Sequence, residues 1–362
     1  MRVSGVPYRT IALDEDGWGV RVIDQTKLPH RFEVVRLDTV EDSARAISTM
    51  VVRGAPLIGA TAAYGVALAM RSDPTGTSLD AAIDRLAATR PTAINLRWAL
   101  DGARDVLDGL PESERAGAAY RFAASLCEAD VALNHRIGEH GLEMLRDLPG
   151  AAAGRRLNVL THCNAGWLAT VDWGTATAAM YQAHDAGQEV HIWVDETRPR
   201  LQGAALTSWE LGQHGVPHTL IPDNAAAHLM QRGDVDVVIV GTDRTTAAGD
   251  VANKIGTYPL ALAAADNSVP FYVAVPSPSI DWTIEDGAEI PIEERDAEEV
   301  TSVRGVESSG EPRSVHIAPP ETRAANFAFD VTPRHLVTGL ITERGICRAG
   351  PEGLRALFPE RG

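Results

Sequence analysis

The amino-acid sequence predicts an α/β protein: a C-terminal Rossmann-like, doubly wound and mainly parallel sheet, preceded by a smaller N-terminal domain of short antiparallel strands and helices. Three observations predict this. Beyond residue 150, short apolar runs alternate with helix-compatible stretches, the βαβα rhythm of a parallel sheet. Runs such as Val237-Val238-Ile239-Val240 are continuously apolar, which suits strands buried on both faces. Before residue 150, the opening stretch alternates apolar with polar residues, and the residues after it carry helical spacing.

From Tyr8 to Leu37 the alternation predicts two or three antiparallel strands about a turn at Asp16-Gly17. Thr39-Val40-Glu41-Asp42 has the form of a helix start, and that helix ends near Met50. In Arg53-Gly54-Ala55-Pro56, Pro56 suits the first helical turn and Gly54 permits close backbone approach. The helix entry offers free N–H groups beside the fixed charge of Arg53, although an ordinary helix start with a surface arginine has the same sequence. The apolar stretch Leu57 to Met70 is too short to span a bilayer and predicts a buried helix. Helical spacing continues over Ser78 to Thr89, Thr92 to Leu107 and Pro111 to Leu148, with Cys127 and His135 as packing residues. Pro149 to Gly154 has the composition of a linker, dividing residues 1–150 from 151–362.

In the second part the expected strands are Leu157 to Leu160, Val190 to Val194, His218 to Ile221, Val235 to Val240, Phe271 to Val275 and Leu336 to Ile341. Helices are expected over Leu168 to Ala186, Leu201 to His214 and Val251 to Ala264. The last would be capped by Asp250 and carry Asn253 and Lys254 in its first turn. Residues 276–325 form a long excursion, of the kind that serves as a lid or an interface.

Bulk properties narrow the function. The chain has 362 residues and a formal net charge of −16 with the two signs interspersed, which argues against nucleic acid or an anionic membrane as partner. No glycine fingerprint for a dinucleotide follows a strand, so no nicotinamide or flavin cofactor is expected. The cysteines Cys127, Cys163 and Cys347 are odd in number and lack paired metal spacing, so no metal site is expected. Met1 to Asp14 has no charged-then-apolar signal pattern, and a reducing cytoplasm is the expected compartment.

Three expected strands end in unusual polar sequences: Thr161-His162-Cys163-Asn164-Ala165-Gly166, Asp195-Glu196-Thr197-Arg198-Pro199 with Gln202 beyond it, and Asp243 with Asn253 and Lys254. In a parallel sheet these ends share one edge, where ligands bind. Each residue alone is ambiguous. Cys163 fits inert packing or, just before an expected helix start whose dipole favours thiolate, a reactive group. Asp243 fits a loop cap or a site acid, Arg198 and Lys254 fit solvated charges or a ligand-facing turn, and His162 fits tuning of Cys163 or satisfaction of backbone.

Taken together the segments resemble the methylthioribose-1-phosphate isomerase family of the methionine salvage pathway. The matching residues are Arg53-Gly54-Ala55-Pro56, Arg90 to Leu96, Cys163-Asn164-Ala165-Gly166, Glu196-Thr197-Arg198-Pro199, Leu201-Gln202-Gly203, Asp250 to Tyr258, Pro291 to Asp296 and Ile341-Thr342-Glu343. The chain departs from the family pattern at Thr242, at Thr245 to Ala248 and at Phe327. The resemblance implies an aldose-to-ketose isomerisation of a 5-substituted ribose 1-phosphate, without metal or cofactor, in a homodimer. It makes Cys163 and Asp243 the catalytic pair. It makes Arg53, Gly54, Ala55, Arg90, Gln202, Asn253 and Lys254 the substrate-binding residues, largely for the phosphate. Ribose-1,5-bisphosphate isomerases, and non-catalytic regulatory subunits of the eukaryotic translation initiation-factor-two exchange factor, resemble the same family.

Overall fold

The structure, a computed structural model, describes residues 1–361. The opening alternation folds as expected into antiparallel strands Ile11–Leu13, Val20–Ile23 and Val34–Leu37. Their register sets Ile11 against Val22 and Val20 against Leu37, and all four side chains enter one core. Helix Val40–Ser48 starts with a reciprocal cap between Thr39 and Asp42. Helix Ala55–Ser72 follows Gly54, whose φ of 93° only glycine adopts without strain and whose missing Cβ would lie 2.4 Å from the Ala169 backbone. Alanines and glycines let neighbouring helices approach it closely, which is why it is buried almost all round.

Helix Glu112–Asp147 ties the molecule together. Its first half packs Cys127 into the core of the N-terminal helices, and its second half packs Ile137, Met144 and Leu145 against the large sheet. The expected linker at 149–154 instead begins with a helical turn, Pro149–Ala152, since proline at the first position pre-sets the turn.

The large sheet has seven strands in the order Gly345–Cys347, Gly339–Thr342, Phe271–Ala274, Val237–Val240, Leu157–His162, Val190–Asp195, His218–Ile221. All neighbours pair in parallel except the edge pair of Gly339–Thr342 with Gly345–Cys347. The chain lays down three strands outward from Leu157–His162, then returns to that strand's other side to lay down Val237–Val240. The winding therefore reverses between these two, the place where open α/β sheets bind ligands.

Several expectations are corrected. Residues 251–254 are not helical: Val251–Lys254 is a strand, antiparallel to Arg244–Thr246 and to Phe329–Thr332. The Asp250 carboxylate does not cap the helix that follows it; it accepts from the N–H groups of Gly287 at 3.1 Å and Arg334 at 2.9 Å, and the helix starts only at Thr257. The helix expected from Leu168 starts at Ala176. Residues Trp167–Ala169 form a 3₁₀ turn whose apolar side chains are buried. Leu201 to His214 is a π-helical turn, Gly203–Thr207, running into Ser208–His214. The last parallel strand is Gly339–Thr342, and Arg334–Leu336 before it is a 3₁₀ turn. The excursion is partly ordered: Ile280–Asp281 adds a strand beside Arg244–Thr246, and Ser302–Val306 pairs with Pro312–His316 in an exposed hairpin. Among the described residues no helix is long and apolar enough to cross a membrane.

Candidate active site

A cleft opens at the winding reversal. All nine residues that the family resemblance assigns to the site line it: Arg53, Gly54, Ala55, Arg90, Cys163, Gln202, Asp243, Asn253 and Lys254. Six stretches separated in the chain deliver them. The strand ends at Cys163 and Asp243 supply two, the entry to helix Ala55–Ser72 supplies three, the loop ahead of helix Ile94–Leu107 supplies Arg90, the π-helical turn's approach supplies Gln202, and the strand Val251–Lys254 supplies Asn253 and Lys254.

Cys163 takes a left-handed backbone conformation, φ 64°, directly after its strand. Its carbonyl accepts from Thr207 Oγ1 at 2.6 Å, which helps hold this unusual geometry. The expected helix dipole is absent, because the next helix begins only at Ala176. Burial pushes the thiol up, and Arg53 and Lys254 pull it back toward thiolate. Asp243 stands half-buried on the cleft wall. Burial raises its carboxyl, and the charges of Arg53, Arg90, Arg295 and Lys254 oppose that rise. Burial lowers the Lys254 ammonium.

His162 uses both ring nitrogens on protein. Nδ1 lies 2.6 Å from Asp195 Oδ2, and Nε2 lies 3.0 Å from the Ile255 carbonyl, which can only accept. Nε2 therefore carries a proton, and the ring ties the ends of the adjacent strands Leu157–His162 and Val190–Asp195 to the turn after Lys254. Arg198 does not line the cleft; its guanidinium donates to the Val300 carbonyl at 2.7 Å and fastens the excursion.

The cleft also holds cations that the sequence reading did not select. Arg200 lines it and pairs with Glu299; Arg295 lines it, and its Nε lies 3.2 Å from Glu293 Oε1. Glu293 Oε2 accepts from Arg90 at 2.6 Å, so one carboxylate bridges the N-terminal part to the excursion. Burial lowers the Arg295 guanidinium to about 10, helped by the like charge of Arg90. Arg90 Nε is buried without a hydrogen-bond acceptor, and Arg295 Nε, though close to Glu293, makes no aligned hydrogen bond to it, leaving donor capacity in a cationic cleft. The family segment Pro291 to Asp296 contained the signal for Glu293 and Arg295, but nothing local told which residues face inward. Thr242 lines the cleft with its hydroxyl satisfied, donating to the Ala252 carbonyl at 3.2 Å beside Thr245 Oγ1 at 3.1 Å. Phe327 is exposed. Among the described residues no cluster of His, Cys, Asp and Glu is arranged to hold a metal ion.

A doubly wound sheet with a cationic cleft at its switch point, holding one thiol and one carboxyl, defines a class, and residues 51–349 match the model of the Initiation factor 2 subunit family. The chain is 63% identical to the methylthioribose-1-phosphate isomerase of Acidiphilium cryptum, over 100% of this chain and 98% of that one. The crystal structure of 5-methylthioribose 1-phosphate isomerase from Pyrococcus horikoshii superposes with a TM-score of 0.84 at 41% identity, covering 98% of this chain and 96% of the other. A structure described as translation initiation factor eIF-2B, subunit delta, from A. fulgidus superposes with a TM-score of 0.80, also at 41% identity, covering 98% and 100%. The chain belongs to the methylthioribose-1-phosphate isomerase family within that wider class, and is an enzyme, an isomerase.

Proposed function

We propose that the chain converts 5-methylthioribose 1-phosphate to 5-methylthioribulose 1-phosphate, acting as a homodimer in the cytoplasm. The observation that carries this reading is the meeting of Cys163 and Asp243 in one cleft walled by Arg53, Arg90, Arg200, Arg295 and Lys254. One thiol and one acid are what the isomerisation needs, and the cations suit a phosphate dianion.

A phosphate on C1 blocks the spontaneous ring opening that gives free sugars an aldehyde, so the C1–O4 bond must break with acid help. Asp243, whose carboxyl burial raises, gives its proton to O4 as that bond breaks. Cys163 as thiolate takes the proton from C2, leaving an enol phosphate, and returns it to C1. The C2 hydroxyl proton passes to the Asp243 carboxylate, which leaves the ketone and restores the acid. Arg53 and Lys254 act twice here, seating the phosphate and drawing Cys163 toward its thiolate.

Incubation with 5-methylthioribose 1-phosphate, 5-deoxyribose 1-phosphate and ribose 1,5-bisphosphate, with assay for ketose, tests the substrate. The first is expected to have the highest kcat/KM. Preference for the bisphosphate would overturn the assignment. Turnover of none would move the chain to the regulatory branch of its class. Deuterium at C2 separates the routes: wash-out into water supports Cys163 as base, and full retention at C1 indicates direct hydride shift or a shielded base.

A further inference from the structure

Behind the cleft lies a carboxylate that the proposed isomerisation does not use. Glu210, on helix Ser208–His214, is fully buried. Its Oε2 accepts from Asn164 Nδ2 and from the Leu168 N–H, each at 3.2 Å, and its Oε1 accepts from the Tyr181 hydroxyl at 3.0 Å. The chain makes room for it: a Cβ on Gly166 would sit 1.4 Å from Oε1. Asn164 is its link to the cleft. The Asn164 side-chain carbonyl accepts from Arg53 Nη1, and its backbone carbonyl accepts from Arg53 Nη2 at 2.8 Å. The same amide nitrogen reaches Thr207 Oγ1 at 3.1 Å, the hydroxyl that holds the Cys163 carbonyl.

A guanidinium only donates and an ionised carboxylate only accepts. An amide placed between them satisfies both in one orientation, with nitrogen toward Glu210 and oxygen toward Arg53. A neutral residue could fill the space at lower cost, since a buried carboxylate is tolerated only where donors and an opposite charge compensate it. Here three donors and the nearby charge of Arg53 do so, against a burial that pushes the carboxyl up to about 7.

We propose that Glu210 is a positioning residue for the anion site: it fixes the orientation of the Asn164 amide, and that amide holds the Arg53 guanidinium in the cleft beside Cys163. This rests on the reading of Arg53 as a phosphate ligand.

The test uses the full chain at a pH above the range where Glu210 takes up its proton, with inorganic phosphate as probe, measured by titration calorimetry, alongside kcat and KM for the sugar phosphate. Glu210→Gln lets the Asn164 amide turn over. It is expected to weaken phosphate binding and raise KM by about tenfold, the effect of one misdirected charge-assisted hydrogen bond, with a much smaller change in kcat. Combining it with Asn164→Asp moves the negative charge up to Arg53 and lets the new amide at 210 donate to it. This double variant is expected to recover phosphate affinity to within about threefold of the parent. A purely structural role for Glu210 predicts no recovery. Persistently weak binding in the double variant overturns the proposal, as does unchanged affinity in Glu210→Gln. Should Glu210→Gln not fold, the double variant decides alone, and its own failure to fold counts against the proposal because it keeps the charge of the pair. Arg53→Met is the control on the underlying reading. If it leaves phosphate binding intact, the anion site is wrong; if it weakens binding while Glu210→Gln does not, only the positioning role is wrong.

Discussion

Cys163 and Asp243 leave adjacent parallel strands on the two sides of the winding reversal. Register pairs Leu160 with Val238, which sets Cys163 alongside Gly241 and carries Asp243 two residues farther over the sheet edge. The space at Gly241 is tight, since a Cβ there would lie 2.5 Å from that of Ala165, so glycine keeps the two strand ends together. If this pair does the proton transfers, Cys163→Ser and Asp243→Asn should each lower kcat by about 10²–10⁴-fold, the usual worth of a positioned acid or base. Phosphate affinity by calorimetry should stay within about threefold. Near-normal turnover in either variant would remove that residue from the mechanism.

The cysteine makes a second claim open to direct titration. Burial holds the Cys163 thiol above its ordinary value, and Arg53 and Lys254 hold it below where burial alone would leave it. The rate of iodoacetamide labelling, followed by mass spectrometry on the peptide containing Cys163, should therefore rise with a midpoint above that of free cysteine. Lys254→Met should move the midpoint higher still and shift the rising limb of kcat/KM to higher pH with it. A midpoint that ignores the loss of Lys254 would show that the ammonium does not act on the thiol.

Much of this was legible in the sequence for a physical reason. Apolar runs such as Val237 to Val240 and the polar residues after them are local patterns, and topology then forces strand ends to one edge. What was not legible was decided by partners far along the chain. Gly249-Asp250-Val251 looked like a helix cap, yet Asp250 is claimed by the N–H groups of Gly287 and Arg334, and Val251 to Lys254 pair with Phe329–Thr332. Arg198 and Arg200 are near neighbours in sequence; only the excursion's return to the cleft sends one to the Val300 carbonyl and the other to Glu299. Glu210 carries no local mark, since its meaning comes from being buried under Asn164.

The excursion's fastening gives a third prediction. Glu293 joins Arg90, Glu299 joins Arg200, and Arg198 holds the Val300 carbonyl, so residues 291–301 are tied across the cleft by charged contacts rather than by a core of their own. Segments with few buried apolar contacts open locally at low cost. Glu293→Gln with Glu299→Gln should speed amide exchange in 291–301 by at least about tenfold, the worth of one lost partly buried ion pair. Exchange in the seven-stranded sheet should be unchanged. Equal acceleration in both regions would mean that these pairs support the whole fold and not the segment alone.

Stability should fall as pH rises from about 5 to about 8. Burial raises the carboxyls of Asp130 and Glu210 to about 7, with Asp130 accepting from the Val171 N–H at 2.8 Å and from Asn134 at 3.0 Å. A carboxyl raised on folding binds its proton more tightly in the native chain than in the unfolded one. Its stabilisation is thus complete below the ordinary carboxyl range and is lost as pH climbs through the raised value. At 1.36 kcal/mol per pKa unit, each group is worth on the order of 3 kcal/mol across that window. Carboxylates drawn down by hydrogen bonds, such as Asp16, brought to about 2 by the Trp18 N–H, Arg36 and the Gly19 N–H against some burial, act with the opposite sign but at lower pH, outside the window. The expected observation is a Tm that drops by several degrees between pH 5 and 8. Asp130→Asn, which cannot ionise and lies outside the cleft, should begin less stable and show a visibly flatter slope. A parent Tm that rises over this range, or a variant slope equal to the parent's, would mean that Asp130 is ionised in the native chain throughout.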